Sequence, residues 1–138
     1  MCDTFVKEFN WPVRVYYEDT DSGGVVYYAN YLKFMERART EWLRHFGLEQ
    51  DVLRDQFGII FAVRKVQIDY ILPAIFNDEL IVTAGVNKKG KASINFTQTI
   101  TRNNELLSTA EIKIACLDAA SFKPVSMPKQ ILENLSGD

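Results

Sequence analysis

Val13 to Arg44 reads VRVYYEDTDSGGVVYYANYLKFMERARTEWLR, and the way its three parts follow one another decides the fold. Arg14, Tyr16 and Glu18 alternate with Val13, Val15 and Tyr17, the period-two pattern of a half-buried strand. Asp19 to Gly24, DTDSGG, supplies turn formers and the φ > 0 freedom that reverses a chain sharply. From Asn30 onward Tyr31, Phe34, Met35, Ala38 and Trp42 recur at the spacing of one helix face. The stretch is thus a strand, a tight acidic turn and a long amphipathic helix. It delivers a carboxylate close to a helix N-terminus, after a Gly-Gly pair and beside aromatic bulk. This is the candidate active site.

Working outward, residues 1–10 read as a loose lead-in and Trp11 to Glu18 as the first strand. The helix is expected to end near His45 or Phe46, with Gly47 as the residue that closes it. A short helical piece, Glu49 to Phe57, precedes Gly58. Four strand-like runs follow: Ile59 to Ile71, which stops before Pro73, then Glu79 to Lys88, Lys91 to Arg102, and Glu105 to Leu117. Lys89-Gly90 makes one turn, and Asn103-Asn104 gives the clearest hairpin signal. After Pro124 and Pro128 a helical turn is expected over Lys129 to Leu135. One early helix followed by long meandering strands indicates an α+β domain. An antiparallel sheet wrapped around the Asn30–Phe46 helix satisfies the pattern, and that arrangement is the hotdog fold. Apolar positions on both faces of the strands call for a partner subunit.

At 138 residues the chain is read as one domain, 1–138, long enough for a core without staples. Apolar residues make up 47%, which argues against disorder. A formal charge of −2 argues against a nucleic-acid binder, whose footprint is basic. The two cysteines, Cys2 and Cys116, do not suggest a disulfide framework, and the first ten residues lack the apolar core of a signal peptide. No run approaches a membrane span. The expectation is a cytoplasmic protein. One histidine and two distant cysteines cannot build a usual transition-metal site, so no metal is expected. No G-x-S-x-G elbow and no Gly-rich phosphate loop is present.

The run from Tyr17 to Tyr31, continued by Phe34-Met35-Glu36-Arg37-Ala38-Arg39, resembles the signature of the 4-hydroxybenzoyl-CoA thioesterase family. The branch it is most similar to is the Tol-Pal-associated, YbgC-type acyl-CoA thioesterases. Asp69-Tyr70 with Pro73-Ala74, Asp78-Glu79-Leu80, and Asp118 with Lys123-Pro124-Val125 extend the resemblance over nearly the whole chain. It implies hydrolysis of an acyl-CoA thioester, with acyl carrier protein as an alternative donor, and no cofactor beyond the coenzyme A of the substrate. It also implies a homodimer or homotetramer with sites at the subunit interfaces. Carried over by position, Asp21 is the catalytic carboxylate, and the backbone N–H near Tyr28 polarises the thioester oxygen. Many members of the branch have His where this chain has Tyr28, so an account that needs imidazole there does not apply, while one that needs only the amide does.

The residue chemistry is compatible with this. A thioester is already activated, so its hydrolysis needs a base or nucleophile and a place for the developing oxyanion, which free N–H groups at a helix start provide. Taken without the resemblance, Asp19 and Asp21 read more readily as turn and capping residues; the resemblance reverses this for Asp21, and Asp19 keeps that reading. Val26, Tyr28 and Tyr31 are candidate lining of the acyl pocket, with Phe61 and Val63 from a neighbouring strand or subunit; ordinary core is the competing reading. Lys88, Lys89 and Lys91, and more weakly Lys123, are candidates for the coenzyme A phosphates, against a merely solvated turn. Glu36 is expected in an ion pair with Arg37, Arg39 or Arg64, and His45 at the helix end favours the dipole as a cation. The rival functions are a hydratase of the same fold, for which His45 is badly placed, and a non-catalytic acyl-CoA or acyl-carrier-protein binding module.

Overall fold

The computed structural model describes residues 9–129 and 131–132. Five strands, β1 (Phe9–Arg14), β2 (Ile59–Tyr70), β3 (Glu79–Lys89), β4 (Ser93–Arg102) and β5 (Glu105–Asp118), form one antiparallel sheet in the order β1-β3-β4-β5-β2. Helix α1 (Ala29–His45) buries Tyr31, Phe34, Met35, Ala38, Arg39, Trp42 and Leu43. Its apolar face meets Leu80, Val82, Ala84 and Val86 of β3 and Ile94, Phe96 and Ile100 of β4 in one core. This is the α+β hotdog arrangement that the sequence pattern indicates.

Helix α1 stops where Gly47 takes φ +77°: Gly47 N–H donates to the Arg44 carbonyl at 2.9 Å and Leu48 N–H to Leu43 at 2.8 Å. Beyond it a short helix, α2 (Gln50–Val52), widens into a π turn over Leu53–Phe57 that Gly58 closes at φ +66°. Asn103 and Asn104, at φ +51° and +66°, make the expected hairpin between β4 and β5. Pro12 sits on the edge strand β1, where its missing N–H costs no ladder bond.

Three expectations need correction. The first strand ends at Arg14, because Tyr16 N–H donates to the Asp19 carboxylate at 2.9 Å and pulls Tyr17–Asp19 into a 3-10 turn. Val15 stays buried, but Tyr17 is 79% exposed. The four later strands are also no simple meander. β2 lies at the far edge beside β5, and the chain from Ile71 to Asp78 crosses back to start β3. The third correction concerns Lys91, which precedes β4; its carbonyl accepts the Met127 N–H at 2.7 Å instead of a ladder bond. Cys2 and the first eight residues lie outside the described residues, as does the end of the tail. Of the helical turn expected there, Leu132 N–H reaches the Pro128 carbonyl at 3.1 Å.

Candidate active site

The acidic turn folds as a small hairpin set against the start of α1. Thr20 bridges Val26, Asp21 N–H donates to the Val25 carbonyl at 2.9 Å, and Gly24 N–H returns to the Asp21 carbonyl at 3.0 Å. Gly24 sits at φ +83°, open to glycine at little cost. The Asp19 carbonyl accepts both the Tyr27 N–H, at 3.1 Å, and the Asn30 amide, at 2.9 Å, tying the hairpin base to the first helical turn. Asp19 is thereby a turn residue through both its side chain and its carbonyl.

Asp21 is exposed at the tip of that hairpin. Its Oδ1 accepts the Gly23 N–H at 2.8 Å, which fixes the carboxylate plane, while Oδ2 has no partner among the described residues. A Cβ placed on Gly23 would come 3.3 Å from Oδ1, so a larger residue there would crowd the carboxylate. The Tyr28 and Ala29 N–H groups likewise donate to nothing among the described residues, as expected of the first groups of a helix. Two further contacts fix their peptide planes. Asn30 N–H donates to the Tyr27 carbonyl at 2.8 Å, and the Tyr70 hydroxyl donates to the Tyr28 carbonyl at 3.1 Å. The turn thus carries the Asp21 carboxylate on the hairpin that leads into the helix start, where the Tyr28 and Ala29 amides lie free among the described residues.

An open cavity of about 280 Å³ beside the helix start is lined by Val26, Tyr28, Tyr31, Tyr70, Ile71, Leu72 and Pro73. Val26 and Tyr31 are buried, whereas Tyr28 is 61% exposed. The rings pack edge to face, Tyr70 being 5.1 Å from Tyr31 and 6.0 Å from Tyr28. Burial raises the Tyr70 hydroxyl above its ordinary pKa, and the neighbouring Tyr28 and Tyr31 add to that. The Tyr31 hydroxyl accepts the Ala74 N–H at 2.9 Å, and Val26 N–H donates to the Ala74 carbonyl at 2.8 Å, so the crossover after β2 forms one wall. Sequence reasoning gave Tyr70, Ile71 and Leu72 no role. The Asp69-Tyr70 and Pro73-Ala74 pairs in the family pattern were the signal that pointed to them.

The remaining candidates do not gather here within one chain. Phe61 and Val63 line a second, smaller cavity between α1 and the sheet, together with Glu36, Arg39 and Thr40. Glu36 makes no ion pair among the described residues, contrary to expectation, because Arg39 turns into the core and donates to Gln98 Oε1 at 2.9 Å. Lys88 and Lys89 close β3 at the end opposite Glu79, about 30 Å along the strand at ~3.3 Å per residue. Lys89 Nζ reaches the Leu132 carbonyl at 3.4 Å, and Lys91 is exposed nearby. Lys123 is exposed in the loop after β5, where its carbonyl takes the Asp118 N–H at 2.9 Å. His45 packs at a tilt against Phe9 and edge to face with Phe46 at the last turn of α1.

Comparison with known proteins shows the family and the fold. The family model of the thioesterase-like superfamily matches residues 15–135. The acyl-CoA thioesterase YbgC of Haemophilus influenzae is 47% identical over 123 residues, covering 89% of this chain and 90% of that protein. The acyl-CoA thioester hydrolase YbgC of Escherichia coli O6:H1 is 46% identical over 125 residues, 90% of this chain and 92% of its own length. The crystal structure of a probable thioesterase from Bartonella henselae superposes with a TM-score of 0.85 at 33% identity, over 88% of this chain and all of that one.

Proposed function

The chain belongs to the thioesterase-like superfamily as an acyl-CoA thioester hydrolase, and from that premise we propose that Asp21 and the Tyr28 amide carry out the hydrolysis. The substrate is the thioester of a short-chain or aromatic acyl-CoA, or the same thioester on acyl carrier protein. The observation that carries this reading is that, among the described residues, Asp21 keeps one carboxylate oxygen fixed and one without a partner on the hairpin leading into a helix start whose first N–H groups have no acceptor. Asp21 takes a proton from the attacking water, or itself adds to the carbonyl carbon to give a mixed anhydride. In either case the carbonyl oxygen gains negative charge opposite the Tyr28 N–H and the C–S bond then breaks to release the thiol. With water as nucleophile the free acid forms directly, and with Asp21 as nucleophile a second water hydrolyses the anhydride to release the acid and restore the carboxylate. The tyrosine-lined cavity holds the start of the acyl group. The protein's own groups suffice, with no metal and no cofactor beyond the substrate's coenzyme A.

The active form in this reading is a cytoplasmic homo-oligomer. Among the described residues the outer edge of β2 is unpaired, and Val63, Val66 and Tyr70, on the same sheet face as the core, are 50%, 38% and 43% exposed. Antiparallel pairing of two β2 edges sets the Ile59 end of one copy beside the Tyr70 end of the other. A second copy's Phe61 and Val63 then complete the acyl pocket. The turn bearing Lys88, Lys89 and Lys91 lies at that same end of the sheet, where it can meet the coenzyme A phosphates.

The test is thiol release from short-chain, long-chain and aromatic acyl-CoAs, beside an Asp21→Asn variant that keeps the turn's shape. Wild-type turnover that falls by at least about a hundredfold in the variant supports the assignment. Equal turnover by both proteins removes Asp21 from the chemistry. No turnover on any substrate moves the binding-module reading ahead.

A further inference from the structure

Arg39 stands in the middle of α1 and is only 7% exposed. Burial pulls its pKa down to about 10, with Glu36 one turn earlier working the other way, so the side chain remains a cation at neutral pH. Among the described residues no carboxylate lies within ion-pair distance of it, and its single hydrogen bond runs from Nη1 to Gln98 Oε1. Gln98 is fully buried and cannot turn away, because its amide nitrogen donates to the Met35 and Thr83 carbonyls, both at 3.0 Å. The acceptor is therefore locked by the backbone of α1 on one side and of β3 on the other. Arg39, held there by this bond, lines a cavity of about 70 Å³.

The composition of that cavity decides what it can take. Phe61, Val63, Ile94, Phe96, Ile114 and Leu43 supply the apolar half of the wall, with Thr40 and Gln50 as neutral polar groups and the exposed Glu36 as the other charged one. A buried cation without a counter-ion is costly, and an apolar surround strengthens its pull on an anion. A water needs about 10–15 Å³ of space of this kind, so the cavity has room for a carboxylate head. The chain would run out over Phe61 and the half-exposed Val63.

We propose that this cavity is a carboxylate subsite, in which Arg39, aimed by Gln98, binds the head group of an alkyl carboxylate whose stem lies on Phe61 and Val63. Two sources offer that chemistry: the distal carboxylate of a dicarboxylic acyl-CoA, and a free carboxylic acid. Arg39 is ten residues beyond Ala29, about 15 Å along the helix at ~1.5 Å per residue. A short acyl group held at the Tyr28 amide therefore does not reach the subsite of its own chain. The first source rests on the thioesterase reading and on the β2 pairing above, which brings a second copy's Phe61 and Val63, with Arg39 behind them, to the acyl end. The subsite itself rests on neither.

The experiment titrates the wild-type oligomer with hexanoate, and with hexanol and hexylammonium as controls, following the Arg39 Nε–H resonance and thermal unfolding. Hexanoate alone should move the resonance and raise the unfolding temperature. The response should weaken at least about tenfold in Arg39→Gln and strengthen in Glu36→Gln, which removes the competing charge. A response that is absent, or equal for hexanoate and hexanol, overturns the proposal. Because it is read on the wild type, it holds even where Arg39→Gln fails to fold. Adipoyl-CoA and hexanoyl-CoA then separate the sources. A kcat/KM preference for adipoyl-CoA that vanishes in Arg39→Gln assigns the distal carboxylate. Equal turnover, with hexanoate inhibition lost in Arg39→Gln, assigns the free acid. Hexanoate binding without turnover of either ester removes the dicarboxylic acyl-CoA as the source and leaves the subsite to the free acid.

Discussion

Tyr70 holds the peptide that carries the Ala29 N–H, since its hydroxyl donates to the carbonyl of that same peptide unit. Tyr70→Phe keeps the ring contacts with Tyr28 and Tyr31 and removes only this bond. A lost hydrogen bond of about 1 kcal/mol corresponds to roughly a fivefold fall in kcat, with KM nearly unchanged, measurable in steady-state assays. A structural role alone would lower thermal stability without that split. Cys116 is a second residue whose environment fixes its behaviour. It is fully buried, and burial raises its thiol to about 11, so almost no thiolate exists at neutral pH. Iodoacetamide should leave Cys116 unmodified in the native protein and alkylate it in urea, as read by peptide mass spectrometry.

Between elements, Gln98 is the polar tie of the core, since one side chain of β4 binds the backbone of both α1 and β3. Gln98→Leu is close in size yet strips the buried Arg39 of its acceptor, at a cost of about 3 kcal/mol, to be measured from urea unfolding. Elements whose cause is local were legible in the sequence. The α1 stripe, the Gly47 stop and the Asn103-Asn104 hairpin each depend on residues a few positions apart. The acidic turn was legible too, although the Asp19 carboxylate draws the chain out of its strand earlier than alternation indicates. What the sequence hid depends on distant pairing. The position of β2 beside β5 follows from contacts across the sheet, and with it the arrival of Tyr70 and the Ile71–Pro73 wall at the helix start. Arg39 was hidden for another reason, because a charged residue on a helix reads as solvated unless its acceptor is known.

For the whole molecule, the proposed assembly rests on the exposed apolar residues of β2. Val63→Lys combined with Val66→Lys should leave the fold intact by circular dichroism, yet shift the sedimenting species from oligomer to monomer and lower kcat/KM by at least about tenfold. An unchanged sedimentation profile would place the subunit contact elsewhere. The strand order has a consequence for how the protein is made. β2 finds its partner 38 residues later at Tyr70–Ser108 and 59 residues later at Ile59–Asp118. At a synthesis rate of ~5–20 residues per second, its apolar face waits on the ribosome for about 2 to 12 s before the closing strand emerges. Such long-range closure slows folding and leaves a sticky edge open meanwhile. The nascent chain is thus most exposed to chaperones, and to its own neighbours on a polysome, in the interval between the translation of Tyr70 and that of Asp118.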